Sequence, residues 1–273
     1  MKSRIVTASI GIPILVGVIF AGGIWFSIAV FVLAVIGSLE LNTLSNKIGF
    51  KTPRTMFLIC ACAIVLFGHF LTMEEYEDYY SFALISVVTA IILVWLIERI
   101  KYRTNILDSV TTYLMAICFG GCLAYGILLR SLDNGVYLAY WMILVVMVSD
   151  MAAFFVGRSF GKHKLAPNIS PMKTVEGAIA GIIGAILTSL IINYIFAKFE
   201  IFDLNPSILI VVLGGLLVAI TGIIGDLGES KLKRVARVKD SGTIFPGHGG
   251  VLDRLDSVLL NLPVTYYGFV WVS

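Results

Sequence analysis

Long apolar runs, broken by short clusters of charged residues, Gly and Pro, set the pattern of this chain. Nine runs stand out, near residues 5–22, 24–39, 56–72, 81–97, 110–128, 137–156, 175–197, 207–225 and 257–273. A helix that crosses a bilayer needs about 20 mainly apolar residues. In lipid such a helix satisfies every backbone polar group within itself. The pattern therefore predicts an all-α polytopic membrane protein with about nine transmembrane helices. Only Gly22-Gly23 separates the first two runs, so a re-entrant pair is the alternative there. Met1-Lys2-Ser3-Arg4 before an apolar run has the form of a signal peptide, but equivalent runs follow throughout, and an uncleaved first span is expected. No repeat, low-complexity stretch or soluble domain interrupts the pattern. The chain divides into N-terminal spans (1–136) and C-terminal spans (137–273) that carry two unusual loops.

Composition sharpens this. The 273 residues are 59% hydrophobic and 14% charged, with a mean hydropathy of +0.97, where a soluble domain carries roughly a quarter charged residues. Lipid must solvate most of the surface. Placement of charge then fixes orientation, because cytoplasmic loops are enriched in Lys and Arg. With nine spans and a cytoplasmic N-terminus, every Lys and Arg except Arg130 and Lys198 falls on the cytoplasmic side, while the acidic run Glu74-Glu75-Tyr76-Glu77-Asp78 falls outside. An integral protein of a bacterial inner membrane, with its C-terminus outside, is the expectation. Cys60, Cys62, Cys118 and Cys122 all lie within apolar runs and read as packing residues.

Two loops, 157–174 and 226–256, are basic and dense in Gly, Pro and Ser, and each follows an acid at the edge of a span, Asp150 and Asp226. Acids so placed are costly and usually functional. Asp253 and Asp256 are three apart and would share a helical face. Two neighbouring carboxylates repel unless a cation lies between them. With Asp226 as a third ligand they suit Mg²⁺, which takes oxygen ligands and usually one or two carboxylates plus substrate phosphates. Lys233, Arg234, Lys239 and Arg254 interleave with these acids, as phosphoryl or nucleotidyl transfer requires. Gly247-His248-Gly249-Gly250 can form an anion-binding turn ahead of a helix. Plainer roles compete: Lys231 and Arg237 read as lipid anchors, Asp253 as a helix cap, and His248 as a loop residue.

The run from Ser230 to Asp256 resembles the signature of the phosphatidate cytidylyltransferases. It holds Ser230, Lys233-Arg234, Lys239-Asp240, Pro246, His248-Gly249-Gly250, Asp253-Arg254 and Asp256. A second segment agrees, from Ser149-Asp150 through Gly157-Arg158, Gly161-Lys162, Pro167, Ser170-Pro171 and Lys173-Thr174 to Glu176-Gly177. Met172 stands where a polar or basic residue is usual, and Arg237 where Gly is usual. The resemblance implies transfer of CMP from CTP to phosphatidate with Mg²⁺ at a cytoplasmic site, among membrane lipids and without nucleic acid. It implies catalytic roles for Asp226, Lys233, Arg234, Lys239, Asp240, His248, Asp253, Arg254 and Asp256. Substrate contacts would come from Ser149, Asp150, Arg158, Lys162, Lys173, Thr174, Ser230, Gly249 and Gly250. Because the attacking phosphate is already ionised, no strong base is needed, and His248 is expected to structure the loop or touch phosphate.

Alternatives are a CTP-dependent polyprenol or phytol kinase and an ion-coupled transporter using Asp150 and Asp226. The unbroken signature disfavours the first, and acids at span ends rather than mid-membrane disfavour the second. The sequence leaves the oligomeric state open, a homodimer among the options.

Overall fold

A computed structural model of the chain describes residues 2–51, 53–102, 105–199, 206–244 and 249–271. The chain divides into two compact units, one formed by residues 1–131 with 235–254 and the other by 132–234 with 255–273.

The first unit holds α1 (Lys2–Ala21), α2 (Gly23–Ile48), α3 (Arg54–Phe70), a 3-10 segment (Glu74–Tyr79), α4 (Tyr80–Tyr102) and α5 (Ile106–Ser131). Its core gathers Phe57, Cys60, Ala61 and Val65 of α3 with Ala116, Phe119 and Leu123 of α5, all essentially sealed from solvent. The two helices approach closely because small residues face each other: Gly120 lies against the Ala61 backbone and Gly68 against Ala124. Without a hydrophobic drive between helices in lipid, such small-residue packing is the usual means of association. Gly22, at φ 61°, breaks α1 from α2. The Arg130 guanidinium caps the end of α1, its Nε donating to the Ile19 carbonyl at 2.6 Å and its Nη2 to that of Phe20 at 3.2 Å. A cation at a helix C-terminus also complements the helix dipole.

The second unit holds α6 (Gly135–Phe160), β1 (Lys164–Ala166), β2 (Ser170–Thr174), α7 (Val175–Lys198), α8 (Ile208–Val235), most of α9 (Leu252–Leu259) and α10 (Asn261–Val270). Val145, Val146, Ala185, Val218 and Ala219 form its core, with Trp141, Ile182 and Val258 packed against them. Gly177 and Gly181 of α7 press on Ala153 and Ser149 of α6, and Gly215 of α8 presses on Ala185 and Ile186.

The fold is all-α as expected, with three differences from the sequence pattern. Loop 157–174 contains an antiparallel hairpin, Lys164 opposite Thr174 and Ala166 opposite Ser170, in a segment too short and too rich in Gly and Pro to show strand periodicity. The eighth helix does not stop at 225 but runs on to Val235, so Asp226, Ser230, Lys233 and Arg234 are helical. Its last turns alternate Gly, acid and base, so hydropathy falls while the helix continues. Third, α2, α5, α6, α7 and α8 alone, among the described residues, have both the length and the hydropathy to cross a membrane. Shorter apolar helices occupy Ser9–Ala21, Arg54–Phe70 and Tyr80–Leu96. The ninth run is divided into α9 and α10 at Leu260. Pro263 lacks the N–H that would have bonded to the Leu259 carbonyl, which accounts for the break.

Candidate active site

In the second unit, the C-terminal turns of α8 are built around acids. The Lys173 ammonium, delivered by β2, pairs with Asp226 at 2.5 Å. One turn on, Ser230 Oγ donates to Asp226 Oδ1 at 3.3 Å, and Lys233 pairs with Glu229 in the same helix. Arg234 Nε donates to the Ile169 carbonyl at 3.1 Å, fixing the end of α8 to the hairpin turn. Asp256 enters from α9, whose backbone lies so close to α8 that a side chain on Gly225 would strike the Asp256 carbonyl. Ser257, next in sequence, hydrogen-bonds the Asp150 carboxylate on α6.

Asp150, Asp226 and Asp256 thus stand near enough to repel one another. Burial, then the Asp226 and Asp150 carboxylates, push the Asp256 carboxyl up to about 6, against the Ser257 N–H and the Lys233 ammonium. Three aspartates and Glu229 here face two lysines, Lys173 and Lys233. That excess of negative charge is what a divalent cation relieves.

The hairpin is held by its own network. Glu176, in the first turn of α7, accepts from the backbone N–H groups of Lys162 and His163, and His163 Nδ1 lies 2.6 Å from Glu176 Oε1. Thr174 caps α7 by accepting from the Gly177 N–H at 3.1 Å, a role for which Thr is well suited. Ser149 is buried, and Arg158 and Lys162 are exposed.

In the first unit, the signature loop is organised by two other carboxylates. Asp253 Oδ2 accepts from the Ser241 N–H, the Ser241 hydroxyl and the Gly250 N–H, each at 2.8 Å. Glu40, near the end of the apolar part of α2, accepts from the Val251 N–H, the Leu252 N–H and the Ser241 hydroxyl, each at 3.0 Å. The glycines follow from these acids. Gly249 takes φ 83°, and a Cβ there would strike Asp253 Oδ2; one on Gly250 would strike both Glu40 oxygens, and one on Gly242 would strike Glu40 Oε1. A cavity of about 710 Å³ opens beside this loop, lined by Glu40, Asn42, Lys47, Arg54, Ser241 and Thr243 among others.

Asp150, Lys173, Asp226, Ser230, Lys233, Arg234 and Asp256 fall in the second unit, and Lys239, Asp240, Gly249, Gly250, Asp253 and Arg254 in the first. Lys239, Asp240 and Arg254 are exposed. His248 and Pro246 lie outside the described residues. Asp253, expected beside a metal, has one oxygen committed to three protein donors. No group of three or more His, Cys, Asp or Glu side chains is arranged to hold an ion among the described residues. For Mg²⁺, the chemistry of the donor set fits Asp226 and Asp256, with Asp150 beside them. Glu40 is the functional candidate that sequence reasoning missed; an acid in the same helix as a spanning run was the available signal.

Comparison with known proteins agrees over the whole chain. The Cytidylyltransferase family matches residues 2–272, and the chain belongs to it. The phosphatidate cytidylyltransferase of Bacillus subtilis is 32% identical over 98% of this chain and 97% of its own length. Those of Staphylococcus haemolyticus and Staphylococcus epidermidis are 34% and 33% identical, each alignment covering 97% of both chains.

Proposed function

We propose that this member of the cytidylyltransferase family transfers CMP from CTP to phosphatidate in phospholipid biosynthesis, releasing pyrophosphate and leaving CDP-diacylglycerol in the membrane. The observation that carries the reading is the group of Asp150, Asp226 and Asp256 beside Lys173 and Lys233, in a chain whose full-length relatives are named for this activity. A phosphate oxygen of phosphatidate attacks the α-phosphorus of CTP. A bond forms between that oxygen and phosphorus as the bond to the β-phosphate oxygen breaks, and its electron pair leaves with pyrophosphate. The attacking group is already anionic, so no side chain has to take a proton.

What the protein must supply is positioning and charge neutralisation. Lys173 and Lys233 are the half-buried cations of the acid group, and Arg234 holds α8 to the hairpin. Mg²⁺, held by Asp226 and Asp256, would neutralise charge on the phosphate oxygens. Ser149, Arg158, Lys162 and Thr174, around the same hairpin and helix ends, remain the proposed contacts for nucleotide or lipid phosphate. Lys239, Asp240 and Arg254 remain proposed contributors from the signature loop. The basic asymmetry supports a cytoplasmic site in a bacterial inner membrane, where soluble CTP meets a lipid headgroup.

The test is purified protein in micelles with CTP, phosphatidate and Mg²⁺. CDP-diacylglycerol and pyrophosphate should appear one for one. A phosphorylated lipid with release of CDP, or no turnover, would overturn the reading. Orientation is tested in a cysteine-free background with one new thiol at exposed Lys231 or Asp133. In intact cells, an impermeant reagent should label Asp133→Cys and spare Lys231→Cys.

A further inference from the structure

We propose that Glu40, a buried acid on α2 outside the recognised signature, is a positioning residue for the transfer step. It is 7% exposed and lies roughly two hundred residues from the loop it holds. Its two oxygens divide the work. Oε1 accepts from the Val251 N–H, and Oε2 accepts from the Leu252 N–H and the Ser241 hydroxyl. Val251 and Leu252 are the last loop residue and the first residue of α9, so Glu40 binds the free N–H groups that begin the helix. Such groups have no intrahelical partner, and an anion there is favoured by the helix dipole as well.

The Ser241 hydroxyl lies 3.0 Å from Glu40 and 2.8 Å from Asp253. It carries one proton and donates to one carboxylate at a time. Both ends of the 241–252 loop are therefore gripped by a shared arrangement of two acids, and the close approach of Gly242 and Gly250 leaves no room for a side chain between. The buried charge is retained because both carboxylate oxygens of Glu40 accept from donors converging on it; a neutral amide of the same shape offers one accepting oxygen. Glu40 contacts no reacting atom in this reading. It acts through the loop, fixing where the signature residues and the start of α9 stand.

This inference rests on the loop belonging to the catalytic machinery, and its test separates the two claims. Glu40→Gln puts an amide NH₂ against backbone N–H or hydroxyl donors. Hydrogen exchange of the full-length protein in micelles should quicken in peptides covering 241–244 and 249–252 and stay unchanged in α5. Ser38→Ala, a buried change on the same helix, should leave loop exchange as in the wild type. Alongside, kcat for CDP-diacylglycerol formation should fall about a hundredfold, as a misplacement of about 1 Å commonly causes, with KM for CTP changed less than about threefold. Glu40→Asp keeps the charge but draws it back by one methylene, and should recover part of the lost kcat. It also reads the loop if the Gln variant does not fold. Unchanged loop exchange would overturn the anchor. Quickened exchange with normal kcat, or a loss carried wholly by KM, would overturn the positioning role. If the wild-type protein forms no CDP-diacylglycerol, the proposed function fails while the exchange result still decides the anchor.

Discussion

Two groups of carboxylates meet opposite fates in this protein. In the first unit, Glu40 and Asp253 are surrounded by donors: four backbone N–H groups and one hydroxyl converge on them. In the second, Asp150, Asp226 and Asp256 face each other with two lysines to balance them, and Asp256 is pushed up to about 6. A carboxylate saturated with donors is held in place and holds its neighbours in place. A carboxylate left among like charges is a ligand in want of a cation. The difference separates acids that shape the loop from acids that would do chemistry, although the signature contains both kinds within one short helix.

The sharpest way to break the comparison is to remove charge from each group. Asp256→Asn and Asp226→Asn should each lower kcat by about a hundredfold or more, as loss of a preorganised electrostatic contributor does. The double variant should cost little more than either alone, because ligands of one ion act as a unit. Melting of the Mg²⁺-free protein should not drop in Asp256→Asn, since a repulsion is relieved. Near-normal turnover of Asp256→Asn at limiting Mg²⁺ would remove the metal assignment.

Asp253→Asn should behave differently. Its Oδ2 accepts three bonds, and replacing it leaves buried donors facing an amide, a cost of about 1–3 kcal/mol. Melting temperature should therefore fall by several degrees, with or without Mg²⁺, and raising Mg²⁺ should not restore activity. Rescue of Asp253→Asn by excess Mg²⁺ would return this residue to the metal site.

Much of this was legible in sequence. The helices followed from apolar runs, because each run in lipid has to satisfy its own backbone; the number that cross the membrane did not. Asp226, Asp253 and Asp256 stood out by sign and spacing at a span edge. What spacing on one helix could not reveal was the partner of each acid. Asp253 and Asp256 share α9, yet one meets Ser241 and Gly250 while the other meets Asp226, and these contacts depend on tertiary packing. Glu40 was hidden because its partners lie far along the chain. The hairpin was hidden because three- and five-residue strands carry no period. Arg237 was visible as a basic lipid anchor and as a departure from an expected Gly; its backbone, at φ 55°, supplies the reason that Gly is expected.

A smaller effect comes from pH. With its carboxyl raised from an ordinary 3.8 to about 6, Asp256 binds its proton more tightly in the folded than in the unfolded protein. Between those values the folded state holds more protons, so stability declines as pH rises through the window and is lowest above about 6. Metal-free protein should melt higher at pH 5 than at pH 7.5. Mg²⁺ held at Asp256, as proposed, would take the place of the proton and should raise the melting temperature more at pH 7.5 than at pH 5. An equal Mg²⁺ effect at both values would mean the ion binds away from Asp256.

The smallest expected effect concerns Arg237, in the turn that leads from α8 into the loop of the first unit. It is the non-Gly residue with positive φ among those described, and its side chain is exposed. A left-handed conformation costs a residue with a Cβ about 1–2 kcal/mol. Glycine avoids that cost but loses more freedom on folding, about 0.5–1 kcal/mol. The balance favours Arg237→Gly by roughly half a kcal/mol, a rise in melting temperature of about a degree or two, with kcat unchanged in neutral micelles. In micelles containing anionic lipid, the lost cation should weaken surface attraction by about 1 kcal/mol. Stability gained in neutral micelles and affinity lost on anionic ones would identify Arg237 as a lipid anchor kept at the expense of backbone strain. A fall in melting temperature in neutral micelles would instead mean that the side chain contributes more to the turn than its backbone conformation costs.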